Sequence, residues 1–215
     1  MGAVTEDSRT EATALRAYGG VDGDERVARR RTALMDAALA ALGAEQPEPV
    51  TVRGVCRAAG LNPRYFYESF ESVDALVGVT FDRVIAEISE SALAAFASGQ
   101  GVRAKVAGAV DVIVGIIDAD RRKGRLLFSP ALLSPVVAAK RSESTALFAM
   151  LTLHSASDAL ATEVSPEAFG AAQFQVGGLA RLLATWLDGA VALDRGAVVE
   201  LSVRLMMSLV DAVVG

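Results

Sequence analysis

The side chains with the clearest chemistry lie in one stretch, residues 51–70, which reads TVRGVCRAAGLNPRYFYESF. Arg64 can donate hydrogen bonds to guanine or to phosphate, and the hydroxyls of Tyr65 and Tyr67 can bind phosphates and set the register on a duplex. These residue types, close together on a short segment, indicate binding to double-stranded DNA. The predicted DNA contacts within the stretch are Thr51, Arg53, Asn62, Pro63, Arg64, Tyr65, Tyr67 and Glu68.

The same stretch predicts two short helices joined by a tight turn. Gly60 follows the last apolar residue of the first helix, where a left-handed conformation costs glycine little. Asn62 can cap the second helix, and Pro63 suits its first turn. Phe66 and Phe70 are four residues apart and would face inward together. This layout is typical of a helix-turn-helix, although a small helical hairpin with aromatic packing would show similar spacing.

A predicted helix over residues 29–43 precedes this stretch and carries arginines at its start. Arg26, Arg29, Arg30 and Arg31 lie where a positive charge opposes the helix macrodipole, so local helix stability does not explain them. Contact with a polyanion would explain them, whereas a solvated basic run is the alternative. We therefore add Arg29, Arg30 and Arg31 to the predicted DNA contacts.

Residues 25–85 resemble the N-terminal domain of TetR-type transcriptional regulators in the order and spacing of their predicted helices. The most specific part of this resemblance is the Ala59–Leu61 turn, followed by Tyr67 and Phe70. The resemblance implies that Tyr67 binds phosphate, and it implies a ligand-responsive repressor that acts as a homodimer on an operator. The residues that match the family's usual DNA contacts are Thr51, Asn62, Arg64, Tyr65 and Tyr67.

Two positions depart from the family's pattern. Val73 stands where many members have a lysine that contacts phosphate, and Gly54 stands where many have an acidic residue. Gly54 also removes a capping-box partner and introduces a weak helix former. The resemblance therefore implies weaker DNA affinity rather than a different fold, and we expect the arginines at 26–31 to supply the missing positive charge.

The composition predicts an all-α protein. Hydrophobic residues make up 52% of the 215 residues, and six prolines leave room for long helices. We expect a three-helix helix-turn-helix DNA-binding domain at residues 24–72 and a larger helical ligand-binding and dimerisation domain at residues 73–215. Residues 1–23 are acidic, small and glycine-containing, which predicts a disordered tail.

Several classes of protein are excluded by what the sequence lacks. No uncharged apolar run reaches membrane-spanning length, and residues 1–23 have no apolar signal core, so we expect a cytoplasmic protein without membrane contact. Cys56 is the single cysteine, which excludes an internal disulfide and a cysteine-rich metal site. We expect that the protein binds no metal and no cofactor. We also expect that it is not an enzyme, because no phosphate loop, nucleophile elbow or catalytic dyad is recognisable.

The distribution of charge suggests that DNA binding depends on local arrangement. The chain has a net charge of −5, whereas residues 24–72 hold seven arginines and seven acidic residues. Binding should therefore be sensitive to salt and should need two copies of the domain. The acidic total also keeps open an alternative, a helical protein-interaction module without specific DNA binding.

Two long apolar helices are predicted at the end of the chain, one from Ser165 to Asp188 and one from Asp194 to about Val213. Helices that are apolar beyond one stripe need burial on more than one side. This suits a four-helix dimer interface, which the resemblance also implies, although internal core is the alternative. The predicted interface residues are Val176, Leu179, Leu183, Trp186, Leu201, Leu205 and Leu209.

The helices between residues 102 and 160 would enclose a cavity for an unknown small-molecule effector, as the resemblance implies. The candidate wall residues are Ile113, Ile117, Leu127, Phe128, Phe148, Leu151, His154 and Phe174. Their types indicate an apolar or aromatic effector, although each could equally be ordinary core. His154, the one histidine, could orient a polar group of the effector or could be satisfied within the structure.

Overall fold

The computed structural model describes the backbone of residues 7–160 and 165–214, and the side chains from residue 23 onward except at positions 156, 159, 160, 213 and 214. Throughout these residues the regular structure is helical, which confirms the predicted all-α class. The helices are α1 (Asp7–Leu42), α2 (Val52–Ala59), α3 (Pro63–Ser69), α4 (Val73–Ser98), α5 (Val102–Ala119), α6 (Arg121–Phe128), α7 (Pro135–Leu160), α8 (Pro166–Leu187) and α9 (Arg195–Val214).

The first helix begins earlier than the sequence predicted. The backbone of residues 7–22 is helical and continuous with the rest of α1, whereas residues 1–23 were predicted to be a disordered tail. Residues 1–6 lie outside the described part of the chain. Residues 7–22 contain no proline, and the pair Gly19-Gly20 weakens a helix without breaking it as proline would.

The helices α1, α2 and α3 pack with the start of α4 around one apolar cluster. Leu34 and Ala38 of α1 meet Val55 of α2 and Phe66 of α3, and all four side chains are buried. Cys56 belongs to the same cluster, and burial raises the pKa of its thiol, as suits a core residue. The two short helices predicted for residues 51–70 therefore share one core with α1.

Helix α4 connects this cluster to the rest of the protein. Leu76 packs in the cluster with α1, α2 and α3, whereas Phe81, Val84 and Ile88 pack in a second cluster with α6 and α7. A third cluster joins α5, α8 and α9. Both α4 and α1 contribute side chains to the first and second clusters, so these two helices join the short helices to the larger bundle.

Helix α6 also touches α1 directly, at the point where α1 ends. A Cβ built on Gly43 would lie 2.4 Å from the backbone oxygen of Arg122, so only glycine fits against α6 here. Arg125 of α6 donates a hydrogen bond to the Gly43 oxygen at 3.4 Å and forms an ion pair with Glu45 at 3.0 Å. The start of α6 is therefore held closely against the end of α1.

Replacing Gly43 with alanine is expected to destabilise the protein by about 1–3 kcal/mol, because the added methyl group must displace backbone atoms of α6. Thermal unfolding followed by circular dichroism measures this effect. Gly23→Ala is the matched control, since a Cβ at Gly23 meets no atom within 4 Å. That control should stabilise the helix by about 0.5–1 kcal/mol. Equal or greater stability of Gly43→Ala would contradict the close contact.

Candidate DNA interface and ligand pocket

Local hydrogen bonds position the two short helices as the sequence predicted. The Thr51 hydroxyl accepts a hydrogen bond from the Gly54 N–H at 3.1 Å and caps α2. Gly60 ends α2 in the left-handed region with φ 66°. Asn62 caps α3 by accepting from the Arg64 N–H at 3.0 Å, and Pro63 occupies the first turn. The predicted helix-turn-helix geometry is therefore present in every local detail.

Helix α3 turns one face inward and leaves the opposite face exposed. Phe66 is completely buried, whereas the Tyr67 side chain is 66% exposed and the Arg64 side chain is 83% exposed. A tyrosine this exposed contributes little to the core, so its position does not serve the stability of the fold. The other predicted contacts that are exposed are Thr51, Arg53, Asn62, Pro63 and Glu68. Tyr65 is half-buried.

Two of the arginines predicted to contact DNA instead pack against α3. Nη1 of Arg31 donates to the Ser69 backbone oxygen at 2.5 Å, and its guanidinium lies 4.3 Å from the centre of the Phe70 ring. The guanidinium of Arg30 lies 4.2 Å from the centre of the Tyr65 ring. Both side chains therefore hold α3 against α1. This packing gives both arginines a role within the protomer, and their predicted contact with DNA stays a prediction.

Glu68 binds to arginines on two sides. Its carboxylate lies 3.0 Å from Nε of Arg64 and 3.7 Å from Nη2 of Arg30. Arg29 pairs with Glu25 at 3.6 Å. This ion pair is exposed on both sides and costs little to break, so the expected contribution of Arg26–Arg31 and Arg64 to the positive charge stays a prediction. Exposed cations also lie on α2, where Arg57 is one turn after Arg53 and was not among the predicted contacts.

A cavity of about 440 Å³ lies in the larger bundle, between α4, α5, α7 and α8. Its volume falls within the usual range for small-molecule sites, and its wall is mainly apolar. The predicted wall residues that line it are Ile113, Leu127, Phe128, Phe148 and Leu151. Leu127 and Phe128 belong to α6, the helix that contacts the end of α1.

Three predicted wall residues lie elsewhere. Ile117 is fully buried in the cluster of α5, α8 and α9 and does not line the cavity. Nδ1 of His154 lies 2.8 Å from the Met150 oxygen of its own helix, and the ring is exposed. Phe174 is 69% exposed on the surface of α8. Helical spacing places each residue on one face of its helix but does not indicate which neighbouring helix packs against that face.

The residues predicted for a dimer interface divide into two groups. Val176, Leu179 and Leu183 line the cavity, and Leu183 and Trp186 are buried inside the protomer. The Trp186 ring nitrogen donates to the Leu193 oxygen at 2.9 Å. These side chains serve the internal core, which was the alternative explanation of their pattern. On α9, Leu205 is 54% exposed, and Leu201 and Leu209 are half-buried.

Polar residues of the cavity wall were missed by the sequence analysis. Arg141 of α7 and Arg181 of α8 line the cavity together with Ser144, Thr145 and Gln175. Nη2 of Arg141 donates to the Leu126 oxygen at 2.8 Å, near the end of α6. Burial lowers the pKa of Arg141, although a guanidinium remains charged in proteins. Arg141 stands in a polar stretch with Lys140, Ser142 and Glu143, so nothing in the sequence distinguishes it from a solvated charge.

Metal binding and membrane insertion find no support in the described part of the chain. No group of histidine, cysteine, aspartate and glutamate side chains there could hold a metal ion. No helix within it combines the length and apolar character needed to cross a bilayer.

Comparison with known proteins identifies the fold. No protein-family model and no curated relative matches the sequence. Among solved structures, the fatty acid degradation regulator FadR of Bacillus halodurans has a TM-score of 0.71 at 15% identity, over 82% of this chain and 94% of its own. The regulator FadR of Bacillus subtilis, solved with stearoyl-CoA, has a TM-score of 0.67 at 14% identity, over 81% of this chain and 96% of its own.

A TetR-family regulator from Streptomyces coelicolor gives a similar result, with a TM-score of 0.65 at 20% identity over 86% of this chain and 81% of its own. The chain therefore has the fold of the TetR-family transcriptional regulators, as the resemblance in residues 25–85 implied. Identities this low show a shared architecture, so the residues that act in this chain must be argued from its own geometry.

Proposed function

We propose that this protein is a ligand-responsive transcriptional regulator, most simply a cytoplasmic repressor, and not an enzyme. In this proposal residues 24–72 bind DNA, and residues 73–215 bind the effector and form the homodimer. The observation that carries the proposal is the exposed face of α3, where Arg64 and Tyr67 project from a helix whose opposite face is buried. Such a helix can enter a major groove and present these side chains to bases and phosphates.

The positive charge for DNA binding is best supplied by α2 and α3 in this proposal. Arg53 and Arg57 are exposed on α2, and Arg64 is exposed on α3. Glu68 holds Arg64 in the absence of DNA, and a phosphate or guanine would compete for the same guanidinium. Ion pairs this exposed cost little to break, so the contact between Arg64 and Glu68 does not prevent binding.

Two copies of the chain would associate through α8 and α9. The exposed surface of these helices includes Phe174 and Leu205, and Cβ atoms built on Gly177 and Gly178 would meet nothing within 4 Å in the protomer. Exposed aromatic and aliphatic side chains beside glycines allow a second helix to approach closely. Phe174, which was predicted for the cavity, is thus reassigned to the proposed interface. A two-fold dimer would bind a pseudo-palindromic operator.

The effector would act through α6. Leu127 and Phe128 line the cavity, and the same helix contacts the end of α1 through Arg122 and Arg125. An effector that fits the cavity only when α6 shifts would favour a conformation with a different separation of the two DNA-binding heads. The stearoyl-CoA found with the B. subtilis regulator supports an effector with a long apolar portion.

Selection from a library of random duplexes tests the proposed function. The purified full-length protein is incubated with the library, bound duplexes are recovered, and their sequences are determined. We expect enrichment of an inverted repeat whose half-sites are centred about one helical turn apart. Sequences recovered without any common motif would contradict specific DNA binding and favour a helical protein-interaction module.

A further inference from the structure

The cavity has a pronounced charge asymmetry. Among the described residues that line it, Arg141 and Arg181 carry positive charge, and no lining residue is acidic. Arg181 is exposed, and Arg141 is half-buried. The rest of the wall is mainly aliphatic and aromatic, so no negatively charged side chain of the wall compensates these two arginines. A ligand that filled the cavity with apolar atoms alone would cover these charges without compensating them.

Arg141 is also incompletely satisfied within the described structure. Nη2 donates to the Leu126 oxygen at 2.8 Å and to the Arg125 oxygen at 3.4 Å, whereas the buried Nε has no hydrogen-bond partner. Buried donors of charged groups nearly always have partners in native proteins. The bonds from Nη2 give Arg141 a structural role at the end of α6, but they leave Nε unexplained.

We propose that the cavity binds an amphiphilic carboxylate, whose head group accepts hydrogen bonds from Arg141 and whose apolar chain contacts Ile113, Phe128 and Phe148. A guanidinium can present Nε and an Nη side by side to a carboxylate, so a small shift of the Arg141 side chain toward the ligand would give the buried Nε an acceptor. This inference rests on the proposed function, because it takes the cavity to be the effector site. It narrows the predicted apolar effector to one with a negative head group.

The ligand class is tested by calorimetric titration of the full-length protein without DNA. The probes are straight-chain carboxylates from octanoate to palmitate, with dodecanol and dodecylamine as the neutral and cationic counterparts of dodecanoate, each below its micelle-forming concentration. We expect at least one carboxylate to bind, and dodecanoate to bind about tenfold or more tightly than dodecanol. Binding of no carboxylate, or equal affinity for dodecanol, would overturn the proposal.

Variants of Arg141 separate ligand binding from its structural role. Arg141→Met should remove the preference for dodecanoate over dodecanol, a change of about tenfold to a hundredfold, while the affinity for dodecanol changes little. Arg141→Lys keeps a cation and should keep most of the preference. Arg103→Met, at an exposed arginine outside the cavity wall, is the control and should behave as the wild type. An unchanged preference in Arg141→Met would show that Arg141 only supports α6.

The two proposals fail in different experiments. If carboxylates bind through Arg141 but selection recovers no common DNA sequence, the proposed function as a regulator is wrong, whereas the proposed ligand site is supported. If an inverted repeat is recovered but dodecylamine or dodecanol binds as tightly as dodecanoate, the proposed function as a regulator is supported, whereas the proposed class of ligand is wrong.

Discussion

Replacing Arg64 with alanine and Tyr67 with phenylalanine together is expected to lower the affinity of the homodimer for the selected duplex at least a hundredfold. Arg64 would lose a contact to guanine or phosphate, and such contacts contribute about 1–3 kcal/mol each. Tyr67→Phe would remove one hydrogen bond to phosphate, which adds about 1 kcal/mol. Fluorescence anisotropy of a labelled duplex measures the change.

The fold should survive this double substitution, because both side chains are largely exposed and Phe66 still fills the core. Thermal unfolding should therefore match that of the wild type within about 0.5 kcal/mol. Arg103→Ala, at an exposed arginine on α5, is the control for a general loss of positive charge. Wild-type affinity in the Arg64 and Tyr67 double variant would show that α3 is not the recognition helix.

Placing glutamates at Phe174 and Leu205 is expected to convert the dimer to a monomer and to weaken DNA binding at least a hundredfold. Both side chains are exposed in the protomer, so the new charges do not disturb its core. In the proposed interface, however, they would be buried without partners, which is strongly unfavourable. A monomer also makes only half of the DNA contacts. Light scattering measures the mass, and anisotropy measures the affinity.

The matched control for this variant is Leu133→Glu. Leu133 is 91% exposed in the segment between α6 and α7, outside the two helices of the proposed interface. The Leu133→Glu variant should remain dimeric and bind the duplex as the wild type does. A dimer that persists with glutamates at both Phe174 and Leu205 would place the interface elsewhere on the protein.

The helix-turn-helix could be predicted from the sequence because its geometry is set by neighbouring residues. Thr51 and Asn62 cap helices through bonds to residues three and two positions away, and Gly60 adopts its left-handed conformation within a single turn. Ser72 caps α4 in the same way. Interactions of this range depend on residue types and spacing alone, and both are visible in the sequence.

The roles of the arginines could not be predicted, because they depend on contacts between distant segments. Arg31 bonds to Ser69, 38 positions later, and this pairing determines that Arg31 faces α3 rather than solvent. Arg141 bonds to the end of α6, which the sequence places in a separate helix. Spacing shows that such a residue belongs to a helix face but not which helix packs against that face.

For the cavity and the proposed dimer surface, too, the sequence did not show which face of a helix is buried within the protomer. Phe174 and Leu183 both follow the apolar pattern of α8, yet Phe174 is exposed and Leu183 lines the cavity. A helix that is apolar on several sides has more than one buried face in the assembly. Only the packing of α6, α7 and α9 around α8 decides which side is internal.

Sequence-specific binding of DNA through α3 is tested most directly by titrating one labelled duplex of the selected sequence and one of shuffled sequence at the same salt concentration. The proposed function predicts that the selected duplex binds at least a thousandfold more tightly, and that raising the salt concentration weakens both. Equal affinity for the two duplexes, or no binding to either at low salt, would contradict the assignment of this protein as a transcriptional regulator.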